Sequence, residues 1–302
     1  MRTAVLYGAH GTFEPFSVAL GESLWQQPID NIVPIVENPA AIAQDVRMVD
    51  ENMTVAYANA SATAPSNERR CAAGVIQLCE RYDPDMVVGI HTTRAPAANA
   101  AYVRYNASPQ AVRVATLLGF EHIIFTDFDS VGMAFPDTIL TEINEHPQNP
   151  MHNIRHWRRV LRELGELDPE DYEPSQRAKL WLHVGTLMVE DLPVSPRKAR
   201  DFIRSRTCYS SYQAPQSLLV DDTEEFNLPD SRLVARRNTF VYTWSDQYLE
   251  FGGVAELVRP APQQYDQFYY GGVLRRPTFA GTGPRTNGFS ESLRVLEPIG
   301  ER

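Results

Sequence analysis

Two apolar segments of strand length, each followed by a histidine, constrain the fold of this chain more than any other feature. Residues 4–8 lead to His10, and residues 86–90 lead to His91. Short apolar runs that end near a glycine are typical of buried strands in a largely parallel sheet. Because ligands bind at the carboxyl ends of such strands, we expect the two histidines to lie close together.

Glu14 follows His10 by four residues and completes a candidate metal site of two imidazoles and one carboxylate. This is the donor set of catalytic zinc, which keeps a further coordination position open for water. In the alternative interpretation, both histidines are hydrogen-bonded residues at strand ends. Glu14 is then a solvated carboxylate favoured by the dipole of a following helix.

The hydrophobic patterns predict an α/β fold with a mostly parallel central sheet flanked by helices. The predicted strands cover residues 2–7, 31–36, 86–91, 122–126 and 179–185, and the predicted helices cover residues 16–26, 67–82, 109–118 and 154–164. Ser17 and Ser66 are the predicted N-caps of the first two helices. Residues 92–107 are predicted to form an active-site loop, and residues 127–171 show little regular pattern outside the helix.

Beyond Thr207 the pattern changes to short β-type runs separated by proline, glycine, aspartate and asparagine, which predicts a small β-rich domain. These runs cover residues 217–220, 239–244 and 254–258. We therefore predict two domains, an α/β domain over residues 1–206 and a β-rich C-terminal domain over residues 207–302.

Composition excludes some classes of partner. The 302 residues include 28 Lys and Arg against 38 Asp and Glu, so the net charge of −10 does not favour binding to nucleic acid or to an anionic membrane. No apolar run approaches the length of a membrane-spanning helix, and the N-terminus lacks the pattern of a signal peptide. The three cysteines have no C-x-x-C spacing, which is typical of free thiols in a reducing compartment. We expect a cytoplasmic enzyme with a small-molecule substrate.

Further motifs occur in the order of one enzyme family. The run Val36-Glu37-Asn38-Pro39 is followed by residues 47–52 (RMVDEN) and then by His91-Thr92-Thr93. In this order the sequence resembles the succinylglutamate desuccinylase/aspartoacylase family, which is related to the zinc carboxypeptidases. Members have a G-x-H-G-x-E motif, an N-P turn, an R-x-x-D-x-N-R segment, a D-L-H-T strand end, a V-E-V-G strand and a β-rich C-terminal domain. The likeness in motif order covers most of residues 1–205.

The resemblance implies a zinc-carboxypeptidase-like fold and a Zn²⁺ held by His10, Glu14 and His91. It also implies that the enzyme hydrolyses the amide bond of an N-acyl amino acid. The acidic surface and the resemblance are compatible with a homodimer.

The chain departs from the family pattern around the metal site. Three residues separate His10 from Glu14 where the family has two, and Gly89 stands where the family has an Asp two residues before the second histidine. The missing Asp removes a carboxylate that orients a metal ligand. Met53 replaces the Arg that follows Asn52 in the family motif.

The general base is the most divergent position. The strand KLWLHVG is matched to the family's V-E-V-G, which places His183 where the family has its catalytic Glu. A histidine accepts protons near neutral pH, so His183 is a candidate base or an additional metal ligand, and otherwise a structural histidine. Glu256 in FGGVAELV is the second candidate base.

The substrate-binding residues follow from the resemblance. Arg47 holds the family's first Arg position and Asn52 matches the Asn, and a guanidinium binds a carboxylate with two hydrogen bonds. Arg94, three residues after His91, is placed to reach the same pocket. Tyr265 is the candidate for the Tyr that the family brings from its second domain.

The sequence therefore predicts a zinc-dependent hydrolase of an N-acyl amino acid or a similar small anion. The rival interpretation is a catalytically impaired relative that binds a small acid or a protein partner. The replaced Glu, Asp and Arg favour the rival.

Overall fold

The computed structural model describes residues 1–93, 99–105, 107–126, 135, 137–167, 176–188, 216–217, 240–244 and 253–270. The chain forms two compact units, the first of which comprises Met1–Arg94 and Asn99–Lys179, while the second begins at Leu180. The predicted domain boundary at residue 206 lies outside the described residues and stays a prediction.

The first unit is built on a sheet whose strands, where described, are β1 (Thr3–Tyr7), β2 (Ile32–Val36), β3 (Met86–Thr93), β4 (Ala100–Arg104), β5 (His122–Thr126) and β6 (Thr138–Asn144). Their spatial order is β2-β1-β3-β6-β4-β5. The first four strands in this order are parallel, whereas β4 runs antiparallel to β6 and parallel to β5. The predicted, mostly parallel α/β sheet is confirmed.

The described helices of this unit are α1 (Pro15–Gln26), α2 (Pro39–Gln44), α3 (Met53–Ala58), α4 (Asn67–Tyr82), α5 (Pro109–Leu117) and α6 (Ile154–Glu166). The 3.6-residue apolar pattern of α4 buries Ala72, Val75 and Cys79 against the apolar face of β1, β2 and β3. As predicted, the Ser66 hydroxyl caps α4 by accepting a hydrogen bond from Arg69 N. None of the helices that the structure describes combines the length and apolar composition needed to cross a membrane.

Several local predictions were wrong. Ser17 lies inside α1 and does not cap it; Glu14 is the N-cap residue and Pro15 begins the helix. Residues 100–104 form β4 rather than part of a loop, because the alanines at its start are completely buried in the sheet and need no bulky side chain. The weakly patterned segment 127–171 contains β6, which lies between β3 and β4. Helix α3 was not predicted from the sequence.

In the second unit, the described strands are β7 (Lys179–Met188, whose first residue belongs to the first unit), β8 (Gln216–Ser217), β9 (Phe240–Trp244) and β10 (Gly253–Pro260), followed by α7 (Gln263–Tyr270). β10 pairs antiparallel with both β7 and β9, and β8 pairs antiparallel with β9. The strands predicted near residues 179–185, 239–244 and 254–258 are confirmed, and helix α7 was not predicted.

A buried acid lies at the end of β2. Glu37 is 1% exposed, and its Oε1 accepts a 2.6 Å hydrogen bond from the Tyr57 hydroxyl of α3. Its Oε2 is buried and makes no hydrogen bond. Burial raises the pKa of Glu37, and the His91 charge and the Tyr57 hydrogen bond only partly oppose this effect. Burial therefore disfavours the charged form of this carboxyl group relative to an exposed Glu.

The contact between Gly21 of α1 and the Tyr7 ring of β1 gives a stability prediction. A Cβ atom at Gly21 would lie 2.2 Å from Tyr7 Cγ, whereas a Cβ at Gly74 of α4 meets nothing within 4 Å. We expect Gly21→Ala to lower the free energy of unfolding by about 1–3 kcal/mol through overpacking. The matched Gly74→Ala variant should raise it by about 0.5–1 kcal/mol. Urea denaturation measures both, and equal effects of the two variants would contradict the close packing at Gly21.

The raised pKa of Glu37 gives a pH prediction. An unfolded Glu ionises near its ordinary pKa, so the wild type loses stability as the pH rises from there through the higher pKa of the folded state. The slope is at most about 1.4 kcal/mol per pH unit for one proton. Glu37→Gln removes this loss. The stability of the variant minus that of the wild type should increase from pH 5 to pH 8 in urea titrations with chelator present, and a constant difference would contradict the buried acid.

Candidate metal centre

The pairing of β1 with β3 brings the two predicted histidines together. The strands are parallel with Tyr7 beside Ile90, so His91 is the next residue on β3 and His10 lies in the turn just after β1. Gly8 adopts φ of 70° in this turn, a left-handed conformation that glycine adopts without strain. The Ser17 hydroxyl fixes the turn, since it accepts a hydrogen bond from Gly8 N and donates one to Ile90 O.

Glu14 joins the two imidazole rings. Its Oε1 lies 3.0 Å from His10 Nδ1 and 3.1 Å from His91 Nδ1, and the two ring centroids are 5.5 Å apart. The Glu14 side chain is 4% exposed, and the His10 and His91 side chains are 16% and 12% exposed. The backbone N–H groups of His10 and Thr92 also donate to this carboxylate. The carboxylate is therefore held from both strand ends.

The electrostatics of the three side chains favour an ionised carboxylate. Burial alone would raise the pKa of Glu14, but the charges and hydrogen bonds of His10 and His91 hold this pKa well below its usual range. Burial would likewise lower the pKa of His91, but the adjacent Glu14 carboxylate raises it to about 10. The carboxyl groups of Glu37 and Glu142 raise the pKa of His91 further. The cluster is thus built to hold positive charge.

The donor set fits a zinc ion. One possible ligand atom from each of His10, Glu14 and His91 lies within 4.8 Å of the other two. In a tetrahedral zinc site, ligand atoms are separated by about 3.3 Å, close to the two contacts of Oε1 with the rings. His10 Nε2 is buried and makes no hydrogen bond, so the ring is held through its Nδ1 side. The prediction that His10, Glu14 and His91 lie in one cluster is confirmed. That this cluster binds a metal, and that the metal is zinc, stays a prediction.

Strand β6 adds a carboxylate that sequence reasoning missed. Glu142 of β6 is paired in register with His91 of β3, and paired residues of parallel strands project from the same face about 4.8 Å apart. Glu142 is half-buried, and its charge raises the pKa of His91. It is the acidic residue that the sheet places directly beside a candidate metal ligand.

The sequence signal for Glu142 was the run Thr141-Glu142-Ile143, an acid between β-branched residues. This run is closer to the family's V-E-V-G than KLWLHVG is. The weak pattern of residues 127–171 concealed it.

The same register explains the space beside Gly89. A Cβ at Gly89 would lie 3.8 Å from His91 Nε2, so an Asp there would border the ring. In this chain, Leu140 of β6 fills that space, with Cδ2 only 2.7 Å from the Cβ position. Where the sequence pattern of the family has an Asp, this chain has Gly89, and the space is filled by the apolar side chain of Leu140. Leu140 lies two residues before Glu142, on the same face of β6.

Arg47 directly follows two residues, Asp45 and Val46, that pack against the turn carrying the candidate ligands. A Cβ at Gly11 would lie 2.0 Å from Val46 O, and the Thr12 hydroxyl donates to Asp45 Oδ1 at 2.5 Å. The half-buried Arg47 guanidinium makes no hydrogen bond or ion pair with any residue that the structure describes. Asn52 caps α3, since its Oδ1 accepts a hydrogen bond from Thr54 N. Arg47 is thus available for an anionic ligand.

The remaining predicted residues are His183, Glu256, Tyr265 and Arg94. His183 of β7 is buried, and burial lowers its pKa to about 4, so it is neutral at pH 7 but a weak base. Glu256 of β10 pairs in register with Thr186 and Thr243. Tyr265 of α7 is buried, and burial raises its pKa to about 12. These three residues belong to the second unit, Arg94 lies outside the described residues, and their roles stay predictions.

Comparisons at the level of sequence find no matching protein-family model and no matching curated protein. Solved structures do match. Murine aminoacylase 3 superposes with a TM-score of 0.60 at 16% identity, over 86% of this chain and 95% of that chain.

Two bacterial structures give similar results. Succinylglutamate desuccinylase from Chromobacterium violaceum matches with a TM-score of 0.56 at 14% identity, over 86% of this chain and 84% of that chain. A succinylglutamate desuccinylase/aspartoacylase from Rhodobacter sphaeroides matches with a TM-score of 0.53 at 14% identity, over 86% of both chains. The resemblance inferred from motif order is thereby confirmed in three dimensions: the chain has the fold of the aminoacylase 3, succinylglutamate desuccinylase and aspartoacylase structures.

Proposed function

We propose that this protein is a zinc-dependent hydrolase that cleaves the amide bond of an N-acyl amino acid or a similar small anion. The observation that carries the proposal is the convergence of His10, Glu14 and His91 at the carboxyl edge of a parallel sheet. The names of the structural neighbours denote enzymes that remove acyl groups, which supports amide hydrolysis as the reaction class.

His10 and His91 would hold the metal through Nδ1, and Glu14 would hold it through the carboxylate that now bridges the two rings. A bound Zn²⁺ would polarise the amide carbonyl and lower the pKa of water. Since His91 is protonated in the metal-free protein, metal binding requires that this proton leave. The buried position of Glu14 fixes the direction of its oxygens.

Glu142 is the residue we propose as general base. It is a carboxylate adjacent to His91 that is not itself in the candidate ligand set, so it is placed to accept a proton from the attacking water and to pass it to the leaving amine. His183 remains the alternative base. Its pKa of about 4 makes its imidazole a weak proton acceptor at neutral pH.

Arg47 would bind the carboxylate of the substrate, because a half-buried guanidinium without an ion-pair partner among the described residues is costly unless a ligand pairs with it. Asn52 would add a side-chain hydrogen bond. We keep Arg94 and Tyr265 as candidates for the same pocket. A cytoplasmic location and a homodimeric state belong to the proposal and follow from composition and resemblance.

The direct test is a screen of N-acetyl and N-succinyl amino acids with zinc-loaded protein, in which hydrolysis is measured as the release of free amine. Hydrolysis of at least one substrate supports the proposal. Tight binding of these compounds without hydrolysis would instead support the rival interpretation, a catalytically impaired binding protein. If the protein shows no binding and no hydrolysis of these compounds, both interpretations are overturned.

Metal dependence gives the first prediction. The wild type should bind one zinc ion, and removing it with a chelator should abolish activity and lower the melting temperature. A ligand at one hundred times its Kd stabilises the folded state by about 2.7 kcal/mol. His10→Ala should lose both the zinc and the activity. Elemental analysis measures the zinc content, amine release measures the activity, and calorimetry measures the melting temperature. The control His146→Ala changes an exposed histidine and should keep both. Equal zinc content in the two variants would contradict the proposed site.

The identity of the base gives the second prediction. Glu142→Gln should lower kcat by roughly 10²–10⁴-fold while zinc content and KM stay near the wild-type values. If Glu142 only orients His91, the variant should instead weaken zinc binding by about 10–100-fold. Zinc titration and kinetics at saturating zinc separate these results.

His183→Ala serves as the competing variant and Glu163→Gln, on the exposed face of α6, as the control. If His183→Ala loses kcat while Glu142→Gln stays active, the general base is His183 and not Glu142.

A further inference from the structure

The first turn of α4 is hydrogen-bonded to the segment between Arg47 and Asn52. Glu68 is completely buried, and its carboxylate accepts hydrogen bonds from three successive backbone N–H groups. The donors are Val49 N at 2.6 Å, Asp50 N at 3.1 Å and Glu51 N at 3.3 Å. A carboxylate that accepts several N–H bonds is held in its ionised form and fixes the peptide groups that donate to it.

The residues on either side of Glu68 hold the same segment. Asn67 N donates to Asp50 Oδ2 at 2.6 Å. Arg69 binds Glu51 with two hydrogen bonds, from Nε at 2.7 Å and from the guanidinium Nη2 at 3.1 Å. Three consecutive residues of α4 therefore bind consecutive residues of the segment.

Asn38 connects this contact to the end of β2. Its Nδ2 donates to Glu68 Oε1 at 3.0 Å, and its Oδ1 accepts from Asn67 Nδ2 at 3.1 Å and from Ala41 N at 3.2 Å. Asn38 is completely buried. The segment is thus tied to a rigid strand end and to a helix rather than only to its own flanking residues.

Burial would raise the pKa of Glu68, but the hydrogen bonds from Val49 N, Asn38 and Asp50 N outweigh it and lower this pKa. The side chain keeps its charge across the neutral range. A neutral Gln at this position would turn a donor NH₂ group toward backbone N–H groups, which leaves buried donors without acceptors.

We propose that Glu68 is a positioning residue for substrate recognition: its ionised carboxylate fixes residues 49–51 and so places Arg47 and Asn52 for the carboxylate of the substrate. The inference rests on the proposed function. Its mechanism is the preorganisation of a binding segment, which lowers the conformational entropy lost when the anion binds. The hydrogen bonds of Glu68 go to residues 49–51 and to Asn38, and none goes to a candidate metal ligand.

The test uses the full-length zinc-loaded protein with the variants Glu68→Gln, Glu51→Gln and the control Glu80→Gln, an exposed carboxylate on the same helix. The substrates are the N-acetyl amino acid that the wild type hydrolyses fastest and its carboxamide, which lacks the negative charge. For Glu68→Gln we expect KM to rise about tenfold for the acid and less than about twofold for the carboxamide, with kcat little changed. Glu51→Gln should give a smaller change of the same kind, and Glu80→Gln should give none.

Hydrogen exchange at the backbone amides of residues 49–51 provides a second measurement that needs no catalysis. Glu68→Gln should accelerate this exchange by about tenfold or more while exchange in β1 and β3 and the zinc content stay unchanged. If Glu68→Gln does not fold, Glu51→Gln carries both measurements, because it weakens the same contact from a partly exposed position.

The outcomes separate this inference from the proposed function. An equal loss for the acid and the carboxamide, or unchanged KM and exchange rates, would overturn the positioning role while leaving zinc hydrolysis intact. A wild type that hydrolyses no N-acyl amino acid would overturn the proposed function and with it the substrate role of Glu68. In that case, fast hydrogen exchange at residues 49–51 in Glu68→Gln would show only that Glu68 holds this segment in place.

Discussion

The shared contact of one carboxylate with two imidazoles is the interaction on which the candidate site depends. Glu14 Oε1 meets rings that are four and 77 residues away in the sequence, at 3.0 Å and 3.1 Å. Hydrogen bonds alone do not bring such groups together; the parallel pairing of β1 with β3 does so, and the Ser17 hydroxyl holds the turn against Ile90. The chemistry of the site is therefore a consequence of strand adjacency and of the register of one strand pair.

Three buried carboxyl groups in this region differ in the direction of their pKa shifts. The His10 and His91 rings lower the pKa of Glu14 and hydrogen bonds from backbone N–H groups lower that of Glu68, whereas burial raises the pKa of Glu37. The directions differ because the hydrogen-bond donors and charges around the three groups differ. Such separation of pKa values is typical of sites that bind and process charged ligands.

The sequence predicted those features that depend on local patterns or on one short motif. The strands before His10 and His91, the helix capped by Ser66 and the His10–Glu14–His91 cluster were all readable, because apolar runs and strand-end residues are local signals. Strand β6 was not readable, because Thr138–Asn144 alternates apolar and polar residues only weakly and its neighbours β3 and β4 precede it. Glu142, which we propose as the general base, lies on this strand and was missed for the same reason; His183 is the base that the sequence pattern predicts, and its role stays a prediction.

The late position of β6 in the chain has a consequence for assembly of the protein. Before residues 138–144 are synthesised, β3 has no partner on the edge that later pairs with β6, and the backbone amides and carbonyls of that edge are available to other strands. The sheet closes only when a distant segment inserts between two strands already made, a long-range pairing that is intrinsically slow. A nascent or truncated chain that ends before β6 would present an open apolar edge, and we expect it to associate with other chains before it reaches the native arrangement.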